Sequence, residues 1–238
     1  MEDLRLFLND DQGRPLGNFL ALETYCFSRD THGAGLAFAA NAGMFEPDFK
    51  PVGLLVQDGV EKSPLNLKDG TGNFCMKPNG VFLINSKHKA MVIESSFYPT
   101  LLTPAVWATQ SGPLLVLAGD IHPDFNPNSK NQNVRSGVGV REDGIIVFAI
   151  SRKPVTFYDF ASLFLTKLEC PNALYLDGVI SAFYVPGMND PEVHHFGPMF
   201  GLVQNYGSMT LPTTEEEQRL LKSLQITNAP AAQARSNR

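Results

Sequence analysis

The sequence has few cysteines and little charge, and each scarcity excludes a class of protein. Its 238 residues include three cysteines, far apart and with no Cys-x-x-Cys pair, which excludes a zinc ribbon or a thioredoxin motif. Charged residues make up 18% of the chain, and 19 basic against 24 acidic residues give a net charge of −5. Nucleic-acid binding relies on basic surfaces, so we expect no nucleic-acid partner. We expect buried free thiols, although one disulfide bond with one spare thiol is left open.

Long apolar runs are also missing. None approaches the roughly 18 residues that span a bilayer, so we expect no transmembrane segment. Residues 1–5 lack the basic and apolar regions of a signal peptide. This leaves a cytoplasmic chain or the mature form of an exported one.

The common catalytic motifs are absent as well. The chain has no GxGxxG, P-loop, HExxH or GxSxG motif. His194 and His195 are adjacent, and neighbours on a strand point to opposite faces, so this pair is poor metal-binding geometry. We interpret it as part of a solvated loop.

What the sequence does have is many short apolar runs between turn signals. Leu4, Leu6 and Leu8 alternate with polar residues, which predicts a strand, followed by a turn over 9–13 and a second strand near 18–22. Further strands are predicted at 35–41, 52–57, 80–84, 91–94, 113–117, 136–140, 145–151 and 173–176. We expect an α+β fold: a strand-rich single domain over 1–226 with mixed or antiparallel sheets, a few helices, and a disordered tail over 227–238.

Two segments have helical spacing. Apolar residues from Phe157 to Leu168 form one stripe, and Thr156 with Asp159 resembles a capping box at its start. Residues 214–224 show the same kind of start and a leucine stripe, so a second helix is predicted there.

Polar segments rich in glycine lie at predicted strand ends, at 41–45, 69–80, 109–113, 133–137 and 175–178. Glycine lets the backbone approach a ligand, although each segment alone also fits an ordinary turn. Arg135 has two interpretations. Its planar guanidinium could hold a phosphate through two hydrogen bonds, or it could be an ordinary surface arginine before a strand. Asp177 follows an apolar strand, where a carboxylate suits acid–base chemistry or begins a turn.

In order and spacing, these segments resemble the phosphodiester glycosidase family from about residue 4 to residue 203. The matching segments are Asn-Ala-Gly-Met-Phe at 41–45, Pro-Val-Gly-Leu at 51–54, Gly-Asn-Phe at 72–74, Lys-Pro-Asn-Gly-Val-Phe at 77–82, Ala-Thr-Gln-Ser-Gly-Pro at 108–113, Arg-Ser-Gly-Val-Gly-Val at 135–140, and Leu-Tyr-Leu-Asp-Gly at 174–178 with Ser181. The resemblance implies a hydrolase that cleaves the glycosidic bond of a sugar 1-phosphodiester, releasing free sugar and a phosphomonoester. It also implies a bacterial protein that is periplasmic or secreted, and it leaves the sugar and the oligomeric state open.

The resemblance further implies which residues form the site. It assigns catalysis to Asp177, Arg135 and Ser111. It assigns substrate binding to Asn41, Gly43, Asn73, Lys77, Gln110, Ser136, Gly178 and Ser181. Arg135 and Ser111 would hold the phosphate, and Asp177 would act at the anomeric carbon as nucleophile or as base for water. Glu46 and Asp120 are weak candidates for a partner carboxylate.

We expect no cofactor and no metal, although a divalent cation held by Asp177, Asp120 and backbone carbonyls is left open. After the aspartate, animal members of the family have Gly-Gly-x-Ser, whereas this chain has Gly-Val-Ile-Ser at 178–181. The missing second glycine weakens any transfer of their substrate to this protein.

Two other interpretations of the same residues are kept. In the first, the chain would be a non-catalytic glycan- or phosphoglycan-binding protein, in which Arg135 holds phosphate and aromatic side chains stack on the sugar. The candidate aromatic residues are Phe45, Phe74 and Tyr184. Alternatively, the chain is a serine hydrolase that uses Ser111 with His122 as base, although Gln-Ser-Gly-Pro lacks the pattern of a nucleophile elbow.

Overall fold

The structure, a computed structural model, describes residues 4–29, 34–178, 180–186 and 195–205. In this part of the chain, α-helices lie at Phe19–Arg29 (α1) and Phe157–Thr166 (α2), and 3₁₀ helices lie at Asn73–Cys75 and Ser95–Thr100. The strands are β1 (Leu4–Phe7), β2 (Ala34–Asn41), β3 (Leu55–Gln57), β4 (Val60–Ser63), β5 (Gly80–Asn85), β6 (Ala90–Glu94), β7 (Ala105–Ser111), β8 (Leu114–Leu117), β9 (Asp120–Ile121), β10 (Ser136–Val140), β11 (Ile146–Ile150), β12 (Asn172–Asp177), β13 (Phe183–Tyr184) and β14 (Met199–Asn205).

These strands form three sheets. Sheet A has the order β1-β14-β2-β13, sheet B the order β11-β10-β12-β8-β9, and sheet C the order β4-β3-β7-β5-β6. Neighbouring strands pair antiparallel throughout the described residues. The predicted strand-rich α+β fold is confirmed, with antiparallel rather than mixed sheets.

The first strand forms where the alternation predicts it, but the second predicted strand is wrong. Leu4 and Leu6 are buried in β1, which pairs with β14. Residues 19–29 instead form helix α1, because the Asn18 side chain accepts a hydrogen bond from the backbone N–H of Ala21 (2.8 Å) and caps the first turn. Leu22 and Cys26, one helical turn apart, are both buried on the inner face of the helix.

Helix α2 confirms the capping signal. The Thr156 hydroxyl accepts the backbone N–H of Asp159 (3.0 Å), and Phe160, Ala161 and Phe164 are buried against sheet B. The helix ends at Thr166, two residues before the end of the apolar stripe at Leu168.

Strand β7 lies in the centre of sheet C. From the sequence, residues 109–113 were expected to form a polar segment at the end of a strand, and no strand was predicted over β7. Residues 109–111 are its last three residues, and they pair with β5. The sequence does not reveal this part of the strand because its Thr-Gln-Ser run is polar. All three side chains are nevertheless buried, with hydrogen bonds inside the protein. Strand β14, which pairs with both β1 and β2, also was not predicted.

The main core lies between the three sheets. It joins Leu6 and Phe200 of sheet A, Phe82 of sheet C, and Leu174 and Val138 of sheet B. The Phe82 and Phe200 rings meet edge to face at 5.4 Å. Because one core spans all three sheets, it holds the sheet ends that carry the polar segments in fixed relation to one another.

Several predictions are settled only in part by the described residues. Cys26, Cys75 and Cys170 are all free, with the first and last buried and Cys75 half-buried. The predicted helix at 214–224, the tail at 227–238 and His194 lie outside the described residues. Neither of the described α-helices has the length and apolar character to cross a bilayer.

Candidate active site

A pocket of about 440 Å³ lies beside the end of β12. Three separate parts of the chain line it: Met44, Phe45, Glu46, Pro47 and Val52; Asn73; and Tyr175, Asp177, Gly178 and Ile180. A larger groove of about 900 Å³ runs along β1, but none of the predicted site residues lines it. The smaller pocket is therefore the candidate site, because Asn73, Asp177 and Gly178 were all predicted from the sequence.

A β-bulge directs Asp177 at the end of its strand. Tyr175 lies opposite Gly137 and Asp177 lies opposite Ser136, so Leu176 is an extra residue in β12. The Asp177 Oδ1 atom accepts the backbone N–H groups of the next turn, those of Gly178 (2.5 Å) and Ile180 (3.2 Å). These backbone donors fix the orientation of the carboxylate at the pocket wall.

The backbone of Asp177 is held by three residues that the sequence assigned to substrate binding. The hydroxyls of Ser136 (3.2 Å) and Ser181 (2.8 Å) donate to its carbonyl oxygen. Asn41 donates its amide to Ser136 Oγ (3.0 Å) and accepts the N–H of Ala182 (3.3 Å). The structure thus brings Asn41, Ser136 and Ser181 to Asp177, but as a support behind the pocket rather than as part of its lining.

Tyr175 is the main site residue that sequence reasoning missed. It is almost wholly buried, yet it lines the pocket two residues before Asp177. Burial and the nearby Asp177 carboxylate raise the pKa of Tyr175 to about 12, and the positive charge of Arg135 acts against this rise. Its hydroxyl lies so close to Gly178 that a Cβ at that position would collide with it.

Arg135, predicted from the sequence as a phosphate anchor or else a surface arginine, is buried in the structure. The side chain is 1% exposed and does not line the pocket. Its Nε donates to the Val155 carbonyl (3.0 Å) and its Nη2 to the Asn131 carbonyl (3.3 Å). The guanidinium lies over the Phe157 ring, 3.6 Å from the centroid, and burial lowers the pKa of Arg135. Arg135 lies behind the pocket residue Tyr175, with 5.7 Å between the guanidinium carbon and the tyrosine ring centroid.

Ser111 and Gln110, at the end of β7, are buried and fully occupied with internal contacts. The Ser111 hydroxyl donates to the Leu176 carbonyl (3.0 Å), directly behind Asp177. The Gln110 side chain accepts from Leu54 and Asn66 and donates to Asn66 and Ser95. Neither residue lines the pocket.

Lys77 and Gly43 also lie outside the pocket lining. The Lys77 ammonium forms an ion pair with Asp69 (2.5 Å) and donates to the Leu67 carbonyl (3.1 Å). The Gly43 N–H donates to Thr109 Oγ1 (3.1 Å), and a Cβ there would collide with the backbone of β7. Gly43 therefore allows the chain to pass close to β7 before it enters the pocket wall at Met44.

The structure gives no support to a serine hydrolase. Ser111 Oγ donates to Leu176, and among the described residues it has no hydrogen bond to His122. The His122 ring stacks on Phe125 (4.7 Å between centroids), and its Nδ1 accepts the backbone N–H of Asp124 (3.2 Å). Burial lowers the pKa of His122. A nucleophile needs a base within hydrogen-bond reach, which this arrangement lacks.

The candidate sugar-stacking aromatics are separated in the structure. Phe45 lines the pocket and stacks with Phe49 (6.2 Å between centroids). Phe74 is buried beneath Gly53, and the Tyr184 hydroxyl donates to Glu23. Of the three, only Phe45 is in contact with the pocket.

Glu46 is the second carboxylate of the pocket lining, whereas Asp120 lies on β9 outside it. The described residues contain no group of three histidine, cysteine or acidic side chains placed to hold a metal ion. Asp177 and Glu46 are thus the side chains of the lining from which a cation would take charged ligands. Among the residues that the structure describes, no lysine or arginine belongs to the lining.

Comparison with known proteins gives one curated relative and several structures. The Escherichia coli (strain K12) "Uncharacterized protein YigE" is 38% identical over 149 residues, which are 63% of this chain and 58% of that protein. The match therefore spans less than two thirds of the relative's length.

Two solved structures share the fold. The zebrafish N-acetylglucosamine-1-phosphodiester α-N-acetylglucosaminidase catalytic domain, auto-inhibited by its pro-peptide, superposes with a TM-score of 0.58 at 15% identity, over 84% of this chain and 73% of that one. A hypothetical protein from Synechocystis gives 0.52 at 14% identity, over 84% and 56%. A model of the phosphodiester glycosidase family matches residues 34–203, most of the chain, and this match shows that the protein belongs to that family.

Proposed function

We propose that this protein hydrolyses the glycosidic bond of a sugar 1-phosphodiester. The bond between the anomeric carbon and the oxygen that links it to phosphorus breaks. A water oxygen bonds to that carbon, and the phosphate leaves as a monoester. The observation that carries the proposal is the position of Asp177, whose carboxylate lies at the wall of a pocket of about 440 Å³. That volume suits a single sugar with part of its phosphate.

Asp177 is the group that acts at the anomeric carbon. Backbone N–H groups hold its Oδ1, and hydrogen bonds from Ser136 and Ser181 hold its backbone carbonyl. A carboxylate fixed in this way is pre-positioned to take a proton from water or to attack the carbon itself. Both roles use the carboxylate form of the side chain.

Glu46 supplies the second carboxylate on this proposal. Glycoside hydrolysis in most families uses two acidic groups on either side of the scissile bond. Asp177 lies at the end of a strand and Glu46 in a separate loop, and both line the pocket. Phe45, next to Glu46, offers a ring face to the sugar.

The phosphate of the substrate needs a compensating positive charge, and the described residues of the pocket lining include two carboxylates and no lysine or arginine. We assign this task to Arg135, whose guanidinium carbon lies 5.7 Å from the ring centroid of the pocket residue Tyr175. Its charge would stabilise the leaving phosphate from within the protein. The name of the zebrafish enzyme gives an N-acetylglucosamine 1-phosphodiester as substrate, and this supports the choice of that sugar as the first to test.

The test is release of free reducing sugar from a panel of alkyl- and nucleotide-linked sugar 1-phosphodiesters, with and without divalent cations. We expect Asp177→Asn to lower kcat by roughly 10²- to 10⁴-fold, because general acid–base groups contribute about that much. Asn keeps an oxygen at the Oδ1 position, so the melting temperature is expected to stay close to that of the wild type. Asp120→Asn, a carboxylate outside the pocket, is the matched control and should leave kcat unchanged.

Two results would overturn the proposal. An Asp177→Asn variant with full activity would remove Asp177 from the reaction. Saturable binding of the diesters without sugar release, under any of the cation conditions, would favour the glycan-binding alternative, in which the ligand raises the melting temperature and is not consumed.

A further inference from the structure

We propose that the Tyr175 hydroxyl is the group that contacts the substrate phosphate, and that Arg135 is a positioning residue that acts through it. The inference rests on the proposed function, and it concerns which atom of the protein reaches the leaving group. It revises the role of Arg135 suggested by the sequence, in which the guanidinium itself holds the phosphate.

The first observation is that Arg135 is enclosed. It is 1% exposed, it is absent from the pocket lining, and two of its N–H groups are used by the carbonyls of Val155 and Asn131. Its planar face is covered by the Phe157 ring. A guanidinium held in this way has no open path for bidentate contact with a ligand in the pocket.

The second observation concerns the phenol of Tyr175. A phenol oxygen accepts two hydrogen bonds and donates one. Arg135 lies beside the Tyr175 ring, with 5.7 Å between the guanidinium carbon and the ring centroid, and the positive charge acts against the rise in the pKa of Tyr175. Because burial raises the pKa of Tyr175 to about 12, the hydroxyl keeps its proton at neutral pH and can donate it to a ligand in the pocket that Tyr175 lines.

The third observation is that the fold reserves space for this hydroxyl. The hydroxyl lies where the Cβ of any other residue at position 178 would be, so only glycine leaves room for it there. The Phe157 ring, which lies under Arg135, also meets the Tyr175 ring edge to face at 4.9 Å between centroids. The tyrosine and the arginine are therefore locked against the same ring and cannot shift independently.

Together these contacts describe a neutral donor backed by a buried cation. The nearby positive charge of Arg135 favours a hydrogen bond from the hydroxyl to a negative charge that develops in the pocket. Such a group serves a phosphate that leaves with increased charge. It also avoids exposing a cation that Asp177 and Glu46 would otherwise capture as an ion pair.

The test is a double-mutant cycle on kcat/KM for the methyl phosphodiester of α-N-acetylglucosamine 1-phosphate, with Tyr175→Phe, Arg135→Lys and the double variant. We expect Tyr175→Phe to lower kcat/KM by about 10²-fold, as for loss of one oxyanion donor. Arg135→Lys should cost at least about tenfold alone but less than about threefold in the Tyr175→Phe background. Tyr184→Phe, which removes a hydroxyl elsewhere, is the control and should leave kcat/KM unchanged.

A spectroscopic readout keeps the proposal testable if Arg135→Lys does not fold. In Asp177→Asn protein labelled with [¹³Cζ]tyrosine, adding the same diester should shift the Tyr175 signal and leave that of Tyr184 in place. Turnover that is unchanged in Tyr175→Phe, or a further tenfold loss from Arg135→Lys in that background, would overturn this inference while the proposed function stands. No turnover by the wild type combined with no shift at Tyr175 would overturn both. A shift at Tyr175 without wild-type turnover would support the contact and overturn only the hydrolysis.

Discussion

Asn41 of sheet A donates its side-chain amide to the Ser136 hydroxyl of sheet B across 3.0 Å, although the two residues are 95 positions apart in the chain. Ser136 in turn donates to the carbonyl of Asp177. Two sheets are thus connected by polar side chains directly behind the proposed catalytic carboxylate. These polar side chains can be buried because they form hydrogen bonds with one another and with the backbone, in place of the hydrogen bonds that water would otherwise provide.

Asn41→Ala is expected to lower the free energy of unfolding by about 2–3 kcal/mol, because it leaves Ser136 and the N–H of Ala182 with fewer partners inside the protein. Urea unfolding measures this. The exposed Asn128→Ala is the control, with an expected change within about 0.5 kcal/mol. Equal effects of the two substitutions would contradict the structural role of Asn41.

Gly178→Ala is expected to displace the Tyr175 hydroxyl, since the new methyl group would occupy its place. We predict a loss of stability of about 1–3 kcal/mol, as for overpacking, together with a loss of sugar release. Adding Tyr175→Phe removes the oxygen that collides, so stability should partly recover in the double variant while activity does not. A double variant as unstable as the sum of the two would show that the collision is not the cause.

Glu46→Gln is expected to lower kcat by roughly 10²-fold or more if Glu46 is the second carboxylate of the reaction. Asp48→Asn is a closely matched control, because Asp48 lies in the same loop, pairs with Lys50 and does not line the pocket. Each substitution removes one negative charge from the loop, so a loss of kcat in Glu46→Gln alone would indicate that Glu46 takes part in the reaction. Similar losses in both variants would argue against Glu46 as a catalytic group.

Alkaline pH is expected to destabilise the protein through its buried thiols. Burial raises the pKa of Cys26 and of Cys170 from 9.0 to about 11. The unfolded chain therefore releases these protons from pH 9, whereas the folded protein retains them until about pH 11. Stability from this source is complete below pH 9 and falls as the pH rises toward 11, by about 1.4 kcal/mol per pH unit for each thiol.

Urea unfolding between pH 8 and 10.5 checks this slope. Cys170→Ala should flatten it, and Cys75→Ala, at a half-buried position, serves as the control. A slope that does not change in Cys170→Ala would exclude that thiol as a source of the pH dependence.

The parts of the fold that the sequence predicted are those set by neighbouring residues. The Thr156 cap and the alternation of Leu4 and Leu6 act over one turn or one short strand, so their pattern is visible in the chain. The cap at Asn18 is equally local, but its helix was missed because the apolar pattern of residues 19–29 is less regular than that of α2.

The site was harder to predict because its residues depend on contacts between distant segments. Asp177 and Gly178 were identified from a strand followed by a turn, and both line the pocket. Arg135 was expected to contact ligand, and only the packing of Phe157 and Tyr175 around it places the guanidinium inside the protein. Tyr175 read as an ordinary strand residue because the bulge at Leu176 and the space at Gly178 are products of the folded sheet.

The loop that carries Glu46 has internal bonds of its own. Met44 accepts the N–H of Val52 (3.0 Å), Glu46 exchanges backbone hydrogen bonds within the loop with Lys50 and Phe49 (2.8 Å each), and Phe45 bridges to Pro51. The opposite wall, by contrast, is the end of a central strand in sheet B. Sequence change can therefore reshape one side of the pocket without disturbing the strand that holds Asp177. In this architecture the choice of sugar and the cleavage chemistry can diverge separately, and relatives that keep the strand can differ in what they accept.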